Sequence, residues 1–165
     1  MLVYYYEIKK IIISLLIIII DGILVYYSPA YFNNISYLYP MLTITFLPFI
    51  CFNNKRCYIY TIFLGITYDL LYSNIYLYNV ILFIFLTSID QKVMKYFKNS
   101  LFSFIMMAVI NIVIYDIISF LLVILTNYQV VGVSDLIYKI SHSLIFNIMS
   151  VFVWWFIFKK NIKYA

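Results

Sequence analysis

Charge is scarce in this sequence. Charged side chains make up 10% of its 165 residues, against roughly a quarter in a soluble domain. Alanine, glycine and proline occur three times each, cysteine twice, and histidine and arginine once. Three scattered glycines leave no glycine-rich loop to cradle a phosphate. Cys51 and Cys57 have no histidine or third cysteine beside them, so they do not make a zinc site. His142 stands alone, without a carboxylate at metal spacing, and reads as an interfacial or packing residue. No nucleophile–base pair is evident, and no catalytic residue or cofactor is expected.

Apolar side chains fill the gap. They account for 67% of the chain, and the mean hydropathy is +1.04. No soluble core hides that much apolar surface, which excludes a free cytosolic enzyme. The 32 isoleucines, 19 tyrosines and ten lysines to one arginine reflect A+T-rich coding and carry no functional message by themselves. Six membrane helices of about 20 residues would use roughly 120 residues. That leaves short loops and no separate aqueous domain, so the chain reads as a single polytopic membrane domain over residues 1–165.

The apolar runs place the spans at about 11–27, 36–52, 58–72, 77–89, 101–126 and 140–158. The third and fourth are short, and a tight re-entrant hairpin is the alternative to two full crossings. Ten of the eleven basic residues fall before the first span, between the second and third, between the fourth and fifth, or after the sixth. Only Lys139 falls on the other side. The positive-inside rule then puts both termini in the cytoplasm. The fold class expected is an all-α integral membrane bundle of six transmembrane helices. The first span is read as a retained helix and not as a signal peptide, because Asp21 interrupts it and Pro29 spoils the cleavage pattern. Cys51 and Cys57 fall on the cytoplasmic side, where thiols stay reduced. The strip Lys92-Val93-Met94-Lys95-Tyr96-Phe97-Lys98 suits contact with anionic lipid.

Asp21, Asp69 and Asp116 lie within spans. An aspartate at mid-helix costs about 2.5–3.5 kcal/mol on insertion scales, so each should face the bundle interior. No lysine or arginine is expected at matching depth. Helical spacing sets Thr61, Gly65, Asp69 and Ser73 on one stripe, with glycine allowing close backbone approach. Asn111, Tyr115 and Ser119 form a second stripe with Asp116 on its shoulder, and Ser143, Asn147, Ser150 and Trp154 form a third. Pro40 and Pro48 bracket Thr43 and Thr45 in the second span. The pairs Tyr68-Asp69 and Tyr115-Asp116 invite comparison with intramembrane aspartyl proteases, but Val113-Ile114-Tyr115 stands where those proteases carry Gly-x-Gly.

Tyr39-Pro40, followed by Phe63-Leu64-Gly65-Ile66-Thr67-Tyr68-Asp69-Leu70-Leu71-Tyr72-Ser73, resembles the MreD family of rod shape-determining membrane proteins. Asp116 in Ile112-Val113-Ile114-Tyr115-Asp116-Ile117-Ile118 resembles that family's fifth span, and Asn147 in Phe146-Asn147-Ile148 its sixth. The resemblance implies a non-catalytic scaffold in the bacterial cytoplasmic membrane. Its implied partners are an MreC-like bitopic protein and the elongation machinery for peptidoglycan synthesis: MreB filaments, a RodA-type glycan polymerase and its penicillin-binding transpeptidase. Pro40, Gly65, Asp69, Asp116 and Asn147 become the candidate structural or interface positions. The competing expectation is a six-helix substrate-binding subunit of a vitamin-type importer. Such subunits dock through alanines on the first helix, and the first span has no alanine before Ala30.

Overall fold

The computed structural model describes residues 2–27, 41–52, 56–72, 76–97, 100–126 and 132–163. These form six α-helices, and there is no strand among the described residues: α1 (Leu2–Tyr27), α2 (Met41–Cys51), α3 (Cys57–Tyr72), α4 (Tyr78–Tyr96), α5 (Leu101–Thr126) and α6 (Val133–Lys163). The third and fifth helices fall where the apolar runs put them. By contrast, α1 begins earlier than residue 11, α4 runs past Ile89 to Tyr96, and α6 starts at Val133 and not at Ile140. Hydropathy ends an apolar run at the first charged residue, whereas a helix continues while its backbone pairs. Residues 36–40 of the expected second span lie outside the described residues.

Consecutive helices run antiparallel. The start of α1 meets the end of α2 at Lys10 and Ile50, and its later part meets the start of α2 at Asp21 and Leu42. Thr61 faces Thr87, and Asp69 faces Asn79, across α3 and α4. Asp90 near the end of α4 meets Asn111 of α5.

Helix α2 sits in the middle and packs on all five of the others. Every residue from Leu42 to Cys51 is buried. Its sequence, with Thr43, Ile44, Thr45 and an internal Pro48, is a poor helix former, so burial holds it helical and local propensity does not. The ring of Phe46 packs 5.3 Å from Trp154 and 5.7 Å from Phe158, both on α6. Phe49 stacks on Phe104 of α5 at 4.4 Å.

Polarity is arranged opposite to that of a water-soluble domain. Ile12, Leu16, Ile19 and Ile23 line an exposed face of α1, and Ile59, Ile66 and Leu70 do so on α3. Inside lie Asp21, Thr43, Asp69, Asn79, Asp90 and Asn111, each under 4% exposed. Soluble proteins seldom expose contiguous apolar surface beyond a few hundred Å². Among the described residues Leu101–Thr126 and Lys139–Lys159 are long and apolar enough to cross a membrane, while Leu42–Cys51 and Cys57–Tyr72 are apolar but shorter.

Phe46→Ala, at a fully buried position, should lower stability by about 3–5 kcal/mol. Ile59→Ala, at a position 65% exposed, should stay within about 0.5 kcal/mol. Thermal melting of the detergent-purified variants checks the contrast, and equal shifts would contradict a core centred on α2.

Candidate functional site: a buried polar seam

The first four N–H groups and last four carbonyls of any helix lack partners within it. For a helix with no solvent-facing side these must be met by neighbours. At the start of α2, the Leu42 N–H donates to Asp21 Oδ1 at 3.0 Å and the Thr43 N–H to Oδ2 at 3.0 Å. The Thr43 hydroxyl adds a bond to Oδ2 at 2.6 Å. At the other end, Lys10 Nζ donates to the Ile50 carbonyl at 3.2 Å. A carboxylate at the N-terminus and an ammonium at the C-terminus both match the helix dipole.

The same device recurs at α4. Leu77, the residue before the helix, has φ 65° and makes no side-chain cap of its own. A left-handed leucine costs about 1–2 kcal/mol. Asp69 of α3 supplies the cap instead: Oδ1 accepts from the Asn79 N–H at 3.1 Å and from Asn79 Nδ2 at 2.8 Å, and Oδ2 accepts from the Val80 N–H at 3.4 Å. Gly65 makes this approach possible. A Cβ there would stand 2.5 Å from Val80 Cα and 2.9 Å from Val80 N, so any side chain would push the first turn of α4 off its cap. The Asn79 side chain passes the network on, since Tyr115 of α5 donates to its Oδ1 at 3.1 Å. Tyr78 and Ser119 join the same two helices by a hydroxyl pair at 2.8 Å.

Asp116 differs from the expectation. Lys139 Nζ lies 2.9 Å from its Oδ1, and both side chains are buried. Lysine at matching depth was not expected, because Lys139 fell outside the sixth apolar run. Helix α6 starts at Val133 and carries it inward. A fourth carboxylate was not anticipated: Asp90 is fully buried and accepts from Asn111 Nδ2 at 3.1 and 3.0 Å. It sits one residue past the fourth apolar run, and the continuation of α4 is what buries it. Asp69 and Asp116 are each bound to partners of their own and not to each other.

The stripe on α6 faces inward, with Ser143, Asn147, Ser150 and Trp154 all buried. Thr45 of α2 pairs with the Ser150 hydroxyl at 2.9 Å and accepts from Trp154 Nε1 at 3.2 Å. Among the described residues, neither amide atom of Asn147 has a hydrogen-bond partner, nor does the Tyr68 hydroxyl. Pro48 lies inside α2. Pro40, Ser73 and the side chain of His142 lie outside the described residues. Cys51 and Cys57 were expected as reduced thiols; in this structure they are joined as a disulfide. Spacing of six residues says nothing about pairing; Cys51 ends α2 and Cys57 begins α3, and the two helix ends lie side by side. Among the described residues no three His, Cys, Asp or Glu side chains gather as a metal site. Comparison of the chain with protein-family models, with characterised proteins and with solved structures finds no match.

Gly65→Ala should cost about 1–3 kcal/mol, because the new methyl meets backbone. Asp69→Asn keeps an acceptor for the Asn79 donors and should cost less than about 1 kcal/mol. Melting temperatures of the two variants check the order, and a silent Gly65→Ala would refute the close seam. For the ion pair, Lys139→Met strands a buried carboxylate and should cost about 3–5 kcal/mol. The double variant Asp116→Leu/Lys139→Met should recover most of that loss. A double variant no better than the single one would show that the pair is not the cause.

Proposed function

We propose that the chain is a non-catalytic scaffold of the MreD type, set in the bacterial cytoplasmic membrane with six crossings and both termini inside. The observation that carries this reading is the use made of the buried carboxylates. Asp21 and Asp69 cap neighbouring helices, Asp90 holds an amide, and Asp116 holds a lysine. A general acid, a proton carrier or a metal ligand needs a group that is available to exchange partners. Apart from Asp116 Oδ2, which has no hydrogen-bond partner among the described residues, these oxygens are committed to holding helices in register, as a rigid platform for other membrane proteins requires.

Two further features support the membrane setting. Among the described residues the exposed surface is rich in isoleucine, leucine and phenylalanine, which lipid tails accommodate and water does not. The antiparallel order brings Lys9, Lys10, Arg56, Lys92, Lys95 and Lys159 to one end of the bundle and Lys139 towards the other, in keeping with the positive-inside rule. In this reading the partners are an MreC-like bitopic protein and, through it, MreB filaments, a RodA-type polymerase and its transpeptidase.

Affinity purification from gently solubilised membranes tests the proposal. It should recover an MreC-like protein with the tagged chain. Failure to recover it, together with thermal stabilisation by a small metabolite, would favour the importer subunit instead. Reporter fusions at Asn34, Asn74 and Gln129 should read outside, and those at Asn54, Asn99 and the C-terminus inside. A cytoplasmic signal at Asn74 would refute six crossings and favour a re-entrant hairpin.

A further inference from the structure

The hydrogen bonds between α3 and α4 continue past the buried seam to the outside of the bundle. There Tyr58 Oη donates to Gln91 Oε1 at 3.1 Å and lies 3.4 Å from Ser88 Oγ. Tyr58 is the second residue of α3 and is 38% exposed. Lys92 and Lys95 lie four residues beyond Ser88 and Gln91 on α4, and both are exposed. Residues four apart share a helix face, so the two lysines continue the face that meets Tyr58. Arg56, also exposed, stands just before α3 at the same end. The carboxylates of the two helices, Asp69 and Asp90, are both buried, so no acidic side chain of α3 or α4 offsets this positive charge. The bond to Tyr58 uses the oxygen of the Gln91 amide, and its N–H2 group remains a donor. In the other direction the same edge is apolar. Ile62 and Ile66 follow Tyr58 at four-residue steps on α3, Phe85 and Ile81 precede Ser88 on α4, and all four are exposed. From Tyr58 to Ile66 is about 12 Å along a helix axis, close to one leaflet's half of the roughly 30 Å hydrocarbon layer.

We propose that the outer edge of the α3–α4 pair is a binding site for one anionic phospholipid of the surrounding bilayer. The headgroup phosphate lies among Lys92, Lys95 and Arg56, which give it charge-assisted hydrogen bonds, and the Gln91 amide adds a neutral donor. The acyl chains follow Ile62 and Ile66 on one side and Phe85 and Ile81 on the other. Charge complementarity selects this occupant. A zwitterionic lipid brings a cation of its own to a surface that is already positive, and an acidic peptide makes no use of the apolar edge beside the charges. The inference rests on the membrane setting proposed above, and neither on the scaffold role nor on the orientation. It differs from the general attraction of basic loops to anionic lipid in placing a single lipid at one edge. Lys159 supplies the contrast: it is exposed at the same end of the bundle, but on α6, which among the described residues packs against neither α3 nor α4.

The test places the full chain in nanodiscs of equal parts phosphatidylglycerol and phosphatidylcholine and weighs the lipids that stay bound in native mass spectrometry. The wild type should keep one phosphatidylglycerol in clear preference to phosphatidylcholine. Lys92→Gln and Lys95→Gln should each lower that retention about fivefold, while Lys159→Gln should leave it within about twofold. All three variants should melt with the wild type in nanodiscs of phosphatidylcholine alone, because the side chains are exposed. Equal retention of the two lipids by the wild type would overturn the proposal and leave the charges to an acidic protein segment. A loss in Lys159→Gln as large as in the other two would also overturn it, by showing diffuse attraction in place of a site. Both of those results leave the membrane setting standing. A chain that does not stay in the nanodiscs would overturn that setting together with the lipid site.

Discussion

A helix with no face on solvent has to find every partner for its ends within the protein, and α2 is such a helix. Its neighbour α1 supplies both. Asp21 takes the free N–H groups at the start of α2, and Lys10 reaches a carbonyl at its end. The two residues are eleven positions apart on α1, about 16 Å along a helix axis, and α2 is itself 11 residues long. The first helix therefore acts as a ruler for the second. With groups at both ends bonded by α1 and all sides packed, α2 tolerates Thr43, Thr45 and Pro48, which would unsettle a helix standing alone.

The arrangement repeats along the chain. Each odd-numbered helix carries an aspartate in its later half that serves the even-numbered helix after it: Asp21 for α2, Asp69 for α4, Asp116 for α6. In the first two hairpins the aspartate accepts from the second and third residues of the next helix, where a capping side chain belongs. In the third a lysine takes the place of backbone N–H groups. Gly65 and Leu77 belong to the same device, one by letting α4 come close and the other by turning the chain into it. Tyr115 and Asn79 then tie the second hairpin to the third. Where buried polar groups find no water, such caps decide which helix packs where.

Much of this was readable from the residues. Apolar runs located six helices, and the cost of aspartate in lipid turned Asp21, Asp69 and Asp116 inward. Glycine four residues before Asp69 marked a close approach. The partners were not readable, for a physical reason: the groups that Asp21 and Asp69 bind are backbone N–H groups, which every residue but proline carries. Asp90 and Lys139 are not legible as buried groups, because each stands at a change in hydropathy while its helix, α4 or α6, runs on past it. The pairing of Cys51 with Cys57 depends on where α2 ends and α3 begins, which no composition rule specifies. Asn147 is buried, and neither of its amide atoms has a hydrogen-bond partner among the described residues.

If the aspartates exist to hold helices, removing one should loosen the helix it caps before anything else. Amide hydrogen exchange on the protein in lipid nanodiscs, comparing wild type with Asp21→Leu, measures this directly. Protection should fall first at Leu42 and Thr43 and then through α2, while Leu101–Thr126 keeps its own. Unchanged protection at Leu42 and Thr43 would contradict the account.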